Sequence, residues 1–334
     1  MSISTTARIS FIDVSKAICI FLMVIGHQTS NELLFNYIYS FHMPALFIIS
    51  GYLFKACPWY KTMLAFSIPV VFFSFLNLIV QILLGDLFIS DISISQTIFL
   101  FLHYRYGLSV GLFSGDWFLW ALIGLRCIFG DILPFRILRK HYIAIAFFCV
   151  VYMTFESYLI SIDTIFRGYY IGRMVPSLVF FCIGFFLADH KWTPHNFTFY
   201  FVPIFVVLFF LLPLFNGKCS INSNTYGISY LLFVLNAVIS SILLFVLAEK
   251  IPNTKFITTI SKGTLVVLGM HMPIIRILYY LLPNSIDFLF PVFTIIICYY
   301  IIIVCQHFFP LLLGKSDTLQ QISILLKDKK LAKE

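Results

Sequence analysis

Charge is what this sequence has least of. Only 11% of its 334 residues are Asp, Glu, Lys or Arg, while 61% are hydrophobic. A soluble domain is about 25% charged and about 45–50% apolar. A water-soluble fold of this length would have nowhere to put so much apolar surface, so soluble enzymes and binding modules are excluded. Paired cysteines are also missing. The eight cysteines form no CxxC pair and most sit inside apolar runs, where they read as small hydrophobes. No metal site is legible, and neither is a soluble domain or an internal repeat. The first apolar run carries Asp13 and Lys16 and is not followed by a small-residue cleavage site. It is expected to stay on the protein as its first helix.

What the sequence has in abundance is long apolar runs rich in Phe and Tyr, 40 and 18 residues respectively. About 20 apolar residues cross a bilayer core of about 30 Å. Ten spans are expected, near 10–28, 34–55, 62–85, 116–135, 141–156, 172–189, 197–215, 228–248, 259–281 and 286–308. The patch 96–104 is too short to cross and reads as re-entrant or interfacial. The fold class is thus all-α, a polytopic membrane protein with about ten transmembrane helices. Placing the N-terminus inside puts fifteen Lys and Arg in inner segments against three outside, Arg105, Arg167 and Lys218. The positive-inside bias favours that orientation, and an even count returns the C-terminus to the cytoplasm. Residues 1–314 form the membrane domain. The tail 315–334, with Leu319, Ile322, Leu325 and Leu326 among lysines, reads as an amphipathic helix on anionic lipid. The net charge of +8 is accounted for by these loops and calls for no nucleic-acid partner.

Ionisable groups inside a membrane span are costly and mark function by default. The first span holds three. Asp13 and Lys16 are three apart, share a face and can pair. Lys16 and His27 are eleven apart, almost three whole turns, so they point the same way about 16 Å apart along the axis. The second span contains Phe41-His42-Met43-Pro44, with His42 at a depth similar to His27. Two histidines at one depth on adjacent antiparallel helices would share a site, with imidazole as the natural base near neutral pH. Each could equally be a buried ring bonded to a carbonyl. Trp117 and Trp120 open the fourth span, as site residues or interfacial anchors, with Arg126 about two turns deeper. Arg173 opens the sixth span. His271-Met272-Pro273 lies midway in the ninth, where Pro273 would kink the helix and free carbonyls.

These residues carry a resemblance. The run from Arg8 through Asp13, Lys16 and His27 into FHMPALFIISGYLF at 41–54 resembles the integral-membrane acyltransferase family 3, in the flavour of its fucose 4-O-acetylase-like branch. Lys16 and His27 match the family's basic residue, ten residues, histidine spacing. WFLWALIGLR at 117–126 and SKGTLVVLGMHMP at 261–273 are similar to later family blocks, in the right order along nearly the whole chain. The resemblance implies an O-acyltransferase that moves an acetyl group from cytoplasmic acetyl-CoA to a hydroxyl of a cell-envelope or lipid-linked sugar, in a bacterial inner membrane. Many relatives carry a fused extracytoplasmic hydrolase-like domain, and any acyl relay through one would here be absent or supplied by a partner.

The candidate catalytic residues are therefore His27, His42 and Asp13. His27 would deprotonate the acceptor hydroxyl or form an acyl-histidine. Lys16, Arg136, Arg139 and Lys140 are candidates for the acetyl-CoA phosphates, Lys16 otherwise holding Asp13. Trp117, Arg126, Arg173 and His271 are candidates for the acceptor, with Arg126 alternatively steadying an oxyanion. The competing class is a transporter or flippase, since intramembrane charges and a proline near a histidine occur there too.

Overall fold

The computed structural model describes residues 9–85, 117–130, 139–158, 170–197 and 199–314. Among these, helix is nearly everything. The chain runs α1 (Ser10–Gly26), α2 (Glu32–Tyr39), α3 (His42–Tyr52), α4 (Trp59–Leu83), α5 (Trp117–Ile128), α6 (Tyr142–Tyr158), α7 (Tyr170–Asp189) and α8 (Val202–Asn216). A two-residue hairpin follows, β1 (Cys219–Ser220) with β2 (Thr225–Tyr226), and then α9 (Tyr230–Lys250), α10 (Lys255–Lys262), α11 (Thr264–Leu281) and α12 (Phe290–Phe308).

Among the described residues, seven helical segments are long and apolar enough to cross a membrane by length and composition. Each of the ten expected spans contains a helix, and α5 and α6 are shorter apolar ones. The outward faces explain the composition. Only 11% of Phe199–Asn216 is buried, and Ile204, Val207, Phe210, Leu214 and Phe215 all point out of the protein. So large an apolar face suits lipid and would drive aggregation in water.

Two of the expected spans are broken, each for a local reason. The second span is broken. Ser40 and Phe41 separate α2 from α3, and Phe41, at φ −144° and ψ −26°, is not helical. Pro44 near the start of α3 has no N–H to give, so a fresh helix start suits it. The ninth span is likewise two helices, α10 and α11, meeting at Gly263. The helix opening the fourth span runs to Ile128, and the expected end of that span at 135 lies outside the described residues. The patch 96–104, Arg136 and the tail 315–334 lie outside the described residues.

The tightest packing is between α3 and α7. A Cβ on Gly51 would collide with the carbonyl of Phe181, and one on Gly184 with the carbonyl of Ile48. Small residues at both positions let the two backbones touch, which is how helices gain contact in lipid without a hydrophobic drive between them. α1 packs against α3, α9 and α10, and more lightly against α11, so the helix bearing Lys16 and His27 lies inside the bundle.

Candidate active site

The site is built along α1, with a polar knot at one end and a cluster of imidazoles at the other. At the first end Asp13 is buried. Its Oδ1 accepts a hydrogen bond from Ser261 Oγ at 2.6 Å, and its Oδ2 accepts from Asn253 Nδ2 at 3.4 Å. Thr258 Oγ1 donates to Asn253 Oδ1 at 2.9 Å and holds that amide in place. Lys16 Nζ donates to the Ser261 carbonyl at 2.8 Å. That carbonyl also accepts from Thr264 Oγ1 at 2.9 Å. It can receive side chains because the helix stops at Gly263, so Ser261 sits in the last turn of α10, where carbonyls lack their i+4 partner. Ser261 therefore receives both charged residues of α1, one through its hydroxyl and one through its carbonyl.

This geometry separates Asp13 from the histidines. Fourteen residues of helix put it about 21 Å from His27 along the axis. Asp13, grouped with the histidines as a catalytic candidate from the sequence, here joins α1 to Ser261 of α10 and to Asn253.

His27 caps the far end of α1 and faces outward there. Its ring is 5.0 Å from that of His271, centroid to centroid. The sequence places His27 beside His42, but Tyr39 meets both rings, edge-on to His27 at 6.2 Å and to His42 at 5.0 Å. The three histidines therefore form one cluster, with His271 against His27 and His42 joined through Tyr39. His42 is buried, and its Nδ1 lies 2.6 Å from the Ile38 carbonyl. His271 is buried, and its Nδ1 lies 3.0 Å from the Val267 carbonyl. A carbonyl only accepts, so each Nδ1 carries the proton, and in the neutral ring each Nε2 is left as an acceptor. Among the described residues the Nε2 of His271 is buried with no partner. Among the described residues no three His, Cys, Asp or Glu side chains are arranged to hold a metal ion.

The remaining sequence candidates are spread around this axis. Arg126 stacks over Phe54 and Phe66, 5.5 and 5.7 Å from their centroids. Its Nη1 donates to Ser50 Oγ at 3.4 Å, and among the described residues its Nε is buried without a partner. Trp117 is buried against Phe47 and Phe118. Arg173 is fully buried, and its Nε donates to the Asn222 carbonyl at 3.0 Å, tying α7 to the β1–β2 hairpin. Arg139 Nη1 donates to the Phe129 carbonyl at 3.4 Å, just past the end of α5, while Lys140 is exposed.

Several polar residues of the bundle escaped the sequence reading. Asn253 lies outside the expected spans, Ser261 opens the block at 261–273 but carries no charge to single it out, and Tyr39 resembles any interfacial aromatic. Ser74, Asn77 and Gln81 recur at helical spacing in the apolar second half of α4 and are all buried. Among the described residues Asn77 Oδ1 and Gln81 Nε2 have no partner. That spacing was a readable signal, because an amide costs most where no water can reach it.

The elements that meet here are the three blocks quoted from the sequence: α1 with α3, the opening of α5, and the α10–α11 junction. No protein of curated function and no solved structure matches the chain. The acyltransferase family 3 model, described as an acyltransferase domain, matches residues 9–308, which takes in the polar knot, the histidine cluster and nearly every described helix. A match of that extent, over a polytopic helical bundle with the motif histidine in its imidazole cluster, shows that this chain belongs to the acyltransferase family 3.

Proposed function

We propose that this membrane acyltransferase moves an acetyl group from acetyl-CoA to a hydroxyl of a cell-envelope or lipid-linked sugar, with His27 as the base. The observation that carries the reading is the contact between His27, at the end of α1, and His271, whose Nε2 is buried and unmet. A base must reach its proton, and His27 is the outward-facing member of the cluster. In the reaction, the acceptor oxygen attacks the thioester carbonyl as its proton passes to imidazole. The carbon–oxygen bond forms, the carbon–sulfur bond breaks, and the imidazolium returns the proton to the departing CoA thiolate. Arg126, with an unmet buried Nε, is a donor suited to the acceptor or to the charge that develops on the carbonyl oxygen.

Lys16 serves the other end of the donor. It lies about 16 Å from His27 along the same helix face, and the pantetheine arm of CoA is an extended chain able to span such a separation. Arg139 and Lys140 add cationic charge, and Arg136 belongs to the same basic stretch. The tie between Lys16 and Ser261 fixes where the ammonium stands. With the N-terminus inside, the donor enters from the cytoplasm and the acceptor meets it at the His27 end, as in a bacterial inner membrane.

Two measurements test the reading. Detergent-purified protein should bind acetyl-CoA, and cells lacking the gene should lose an acetyl mass from an envelope glycan. A glycan profile identical with and without the gene, together with no donor binding, would overturn it.

A further inference from the structure

At the His27 end of the bundle a cavity of about 390 Å³ opens between the turn that joins α1 to α2 and the base of the β1–β2 hairpin. The turn supplies Thr29, Ser30, Asn31 and Glu32, α2 adds Phe35 and Asn36, and the hairpin side adds Lys218. Ligand pockets commonly measure about 300–1,000 Å³. The lining mixes hydroxyl, amide, carboxylate and ammonium groups around one aromatic ring. Lys218 Nζ lies 5.2 Å from the Phe35 centroid, and among the described residues neither Lys218 nor Glu32 has an ion-pair partner. Two opposite charges thus share a cavity without joining each other.

The cavity is one ring away from the imidazoles. Phe35 stacks on Tyr39 at 3.8 Å and 16°, and Tyr39 meets both His27 and His42. Gln28, between His27 and the cavity's Thr29, has both amide atoms buried and, among the described residues, unpartnered. The walls are fixed. Asn31 Oδ1 accepts from the Leu34 N–H at 3.0 Å, and Tyr37 donates to the Phe210 carbonyl at 2.8 Å. Asn216 holds the hairpin by donating to the Tyr226 carbonyl at 2.9 Å and accepting from the Ser229 N–H at 3.0 Å.

This lining discriminates among ligands. A single carboxylate beside a lysine does not make a cation site, and a lysine beside a carboxylate does not make an anion site. A neutral polyhydroxylated ligand satisfies both, because its hydroxyls donate to Glu32 and accept from Lys218, each a charge-assisted bond stronger than a neutral one. We infer that this cavity is a recognition subsite for a neutral sugar unit of the acceptor, next to the unit whose hydroxyl is acetylated at His27. The inference rests on the sugar O-acetyltransferase reading above.

The test uses source cells lacking the gene, complemented with full-length variants, and reads the base-labile acetyl content of the envelope glycan by mass spectrometry. Lys218→Met keeps an unbranched chain over Phe35 but removes the donors, and Glu32→Gln removes the charge. Together they should lower acetylation by at least about tenfold, the factor that loss of one such bond commands, while the purified variant binds acetyl-CoA like the wild type. Lys218→Arg, which restores a cation, should recover most of the loss, whereas a purely packing role for Lys218 would be served by Met. Should the double variant not accumulate, Asn36→Ala on the same wall carries the test, with reduced acetylation again expected. Wild-type acetylation in folded variants overturns the subsite and leaves the enzyme reading intact. If the wild-type gene itself restores no acetyl groups, the enzyme reading falls and the subsite falls with it.

Discussion

Replacing His27 with Asn separates chemistry from structure more cleanly than any other change in the cluster. Asn retains polarity and some hydrogen bonding but takes no proton at neutral pH. The ring of His27 makes aromatic contacts with Tyr39 and His271 and faces outward at the end of α1. Losing such contacts costs about 0.5–1.5 kcal/mol per pair at most, so His27→Asn should still fold and bind acetyl-CoA. A positioned base contributes about 10²–10⁴-fold in rate, so acetylation should fall by that factor. His42 and His271 differ, because both are buried and bonded through Nδ1 to backbone carbonyls. Truncating either ring gives up one hydrogen bond, about 0.5–1.5 kcal/mol net, and leaves a cavity in a buried site, so His42→Ala and His271→Ala should lower thermal stability as well as activity. The assay is glycan acetyl content in complemented cells, set beside a melting curve and an acetyl-CoA titration of each purified variant. Wild-type acetylation in a well-folded His27→Asn protein would refute the assignment and hand the role of base to His271 or His42.

The other expectations concern the knot, the helix crossing, the hairpin and the topology. Ser261→Ala strips Asp13 Oδ1 of its hydroxyl donor and should cost about 1–3 kcal/mol in thermal stability, whereas Lys16→Ala should weaken acetyl-CoA binding in a titration with a smaller effect on melting. Gly184→Val must drive its branched side chain into the Ile48 carbonyl, and the protein should fail to accumulate in membranes, as read by immunoblot. Burial pushes the Cys219 thiol up to about 12, the hydrogen bond from Asn216 opposing the rise. Its thiolate fraction at pH 8 is then on the order of 10⁻⁴, and N-ethylmaleimide should modify Cys219 only after unfolding, with rapid modification of the native protein counting against a buried hairpin. Reporters fused after Ile221 and after Lys333 should read outside and inside respectively, and the same side for both would break the ten-span topology.

Much of the fold was open to a reader of the sequence, because in lipid the backbone must satisfy itself and only helices can do so segment by segment. Long apolar runs therefore become helices whatever surrounds them, and each expected span does hold one. The breaks at Ser40–Phe41 and Gly263 were harder to see. An apolar window averages over a short non-helical step, and what decides the step is a proline near a helix start or a side chain that claims a freed carbonyl.

In the site, the sequence by itself determined which residues of α1 share a face, since helical periodicity alone aligns Lys16 with His27. It did not determine their partners. Asp13 finds Ser261 across 248 positions of sequence, and Lys16 finds the carbonyl of the same residue. His27 meets His271 as well as standing near His42, with Tyr39 edge-on to both His27 and His42. Spacing within one helix is local geometry, repeated every 3.6 residues wherever the helix lies. Which helix comes to rest against which is settled by close crossings such as Gly51 on Gly184 and by the few polar groups that must find partners away from water. Those choices belong to the bundle as a whole, and only the tertiary structure records them.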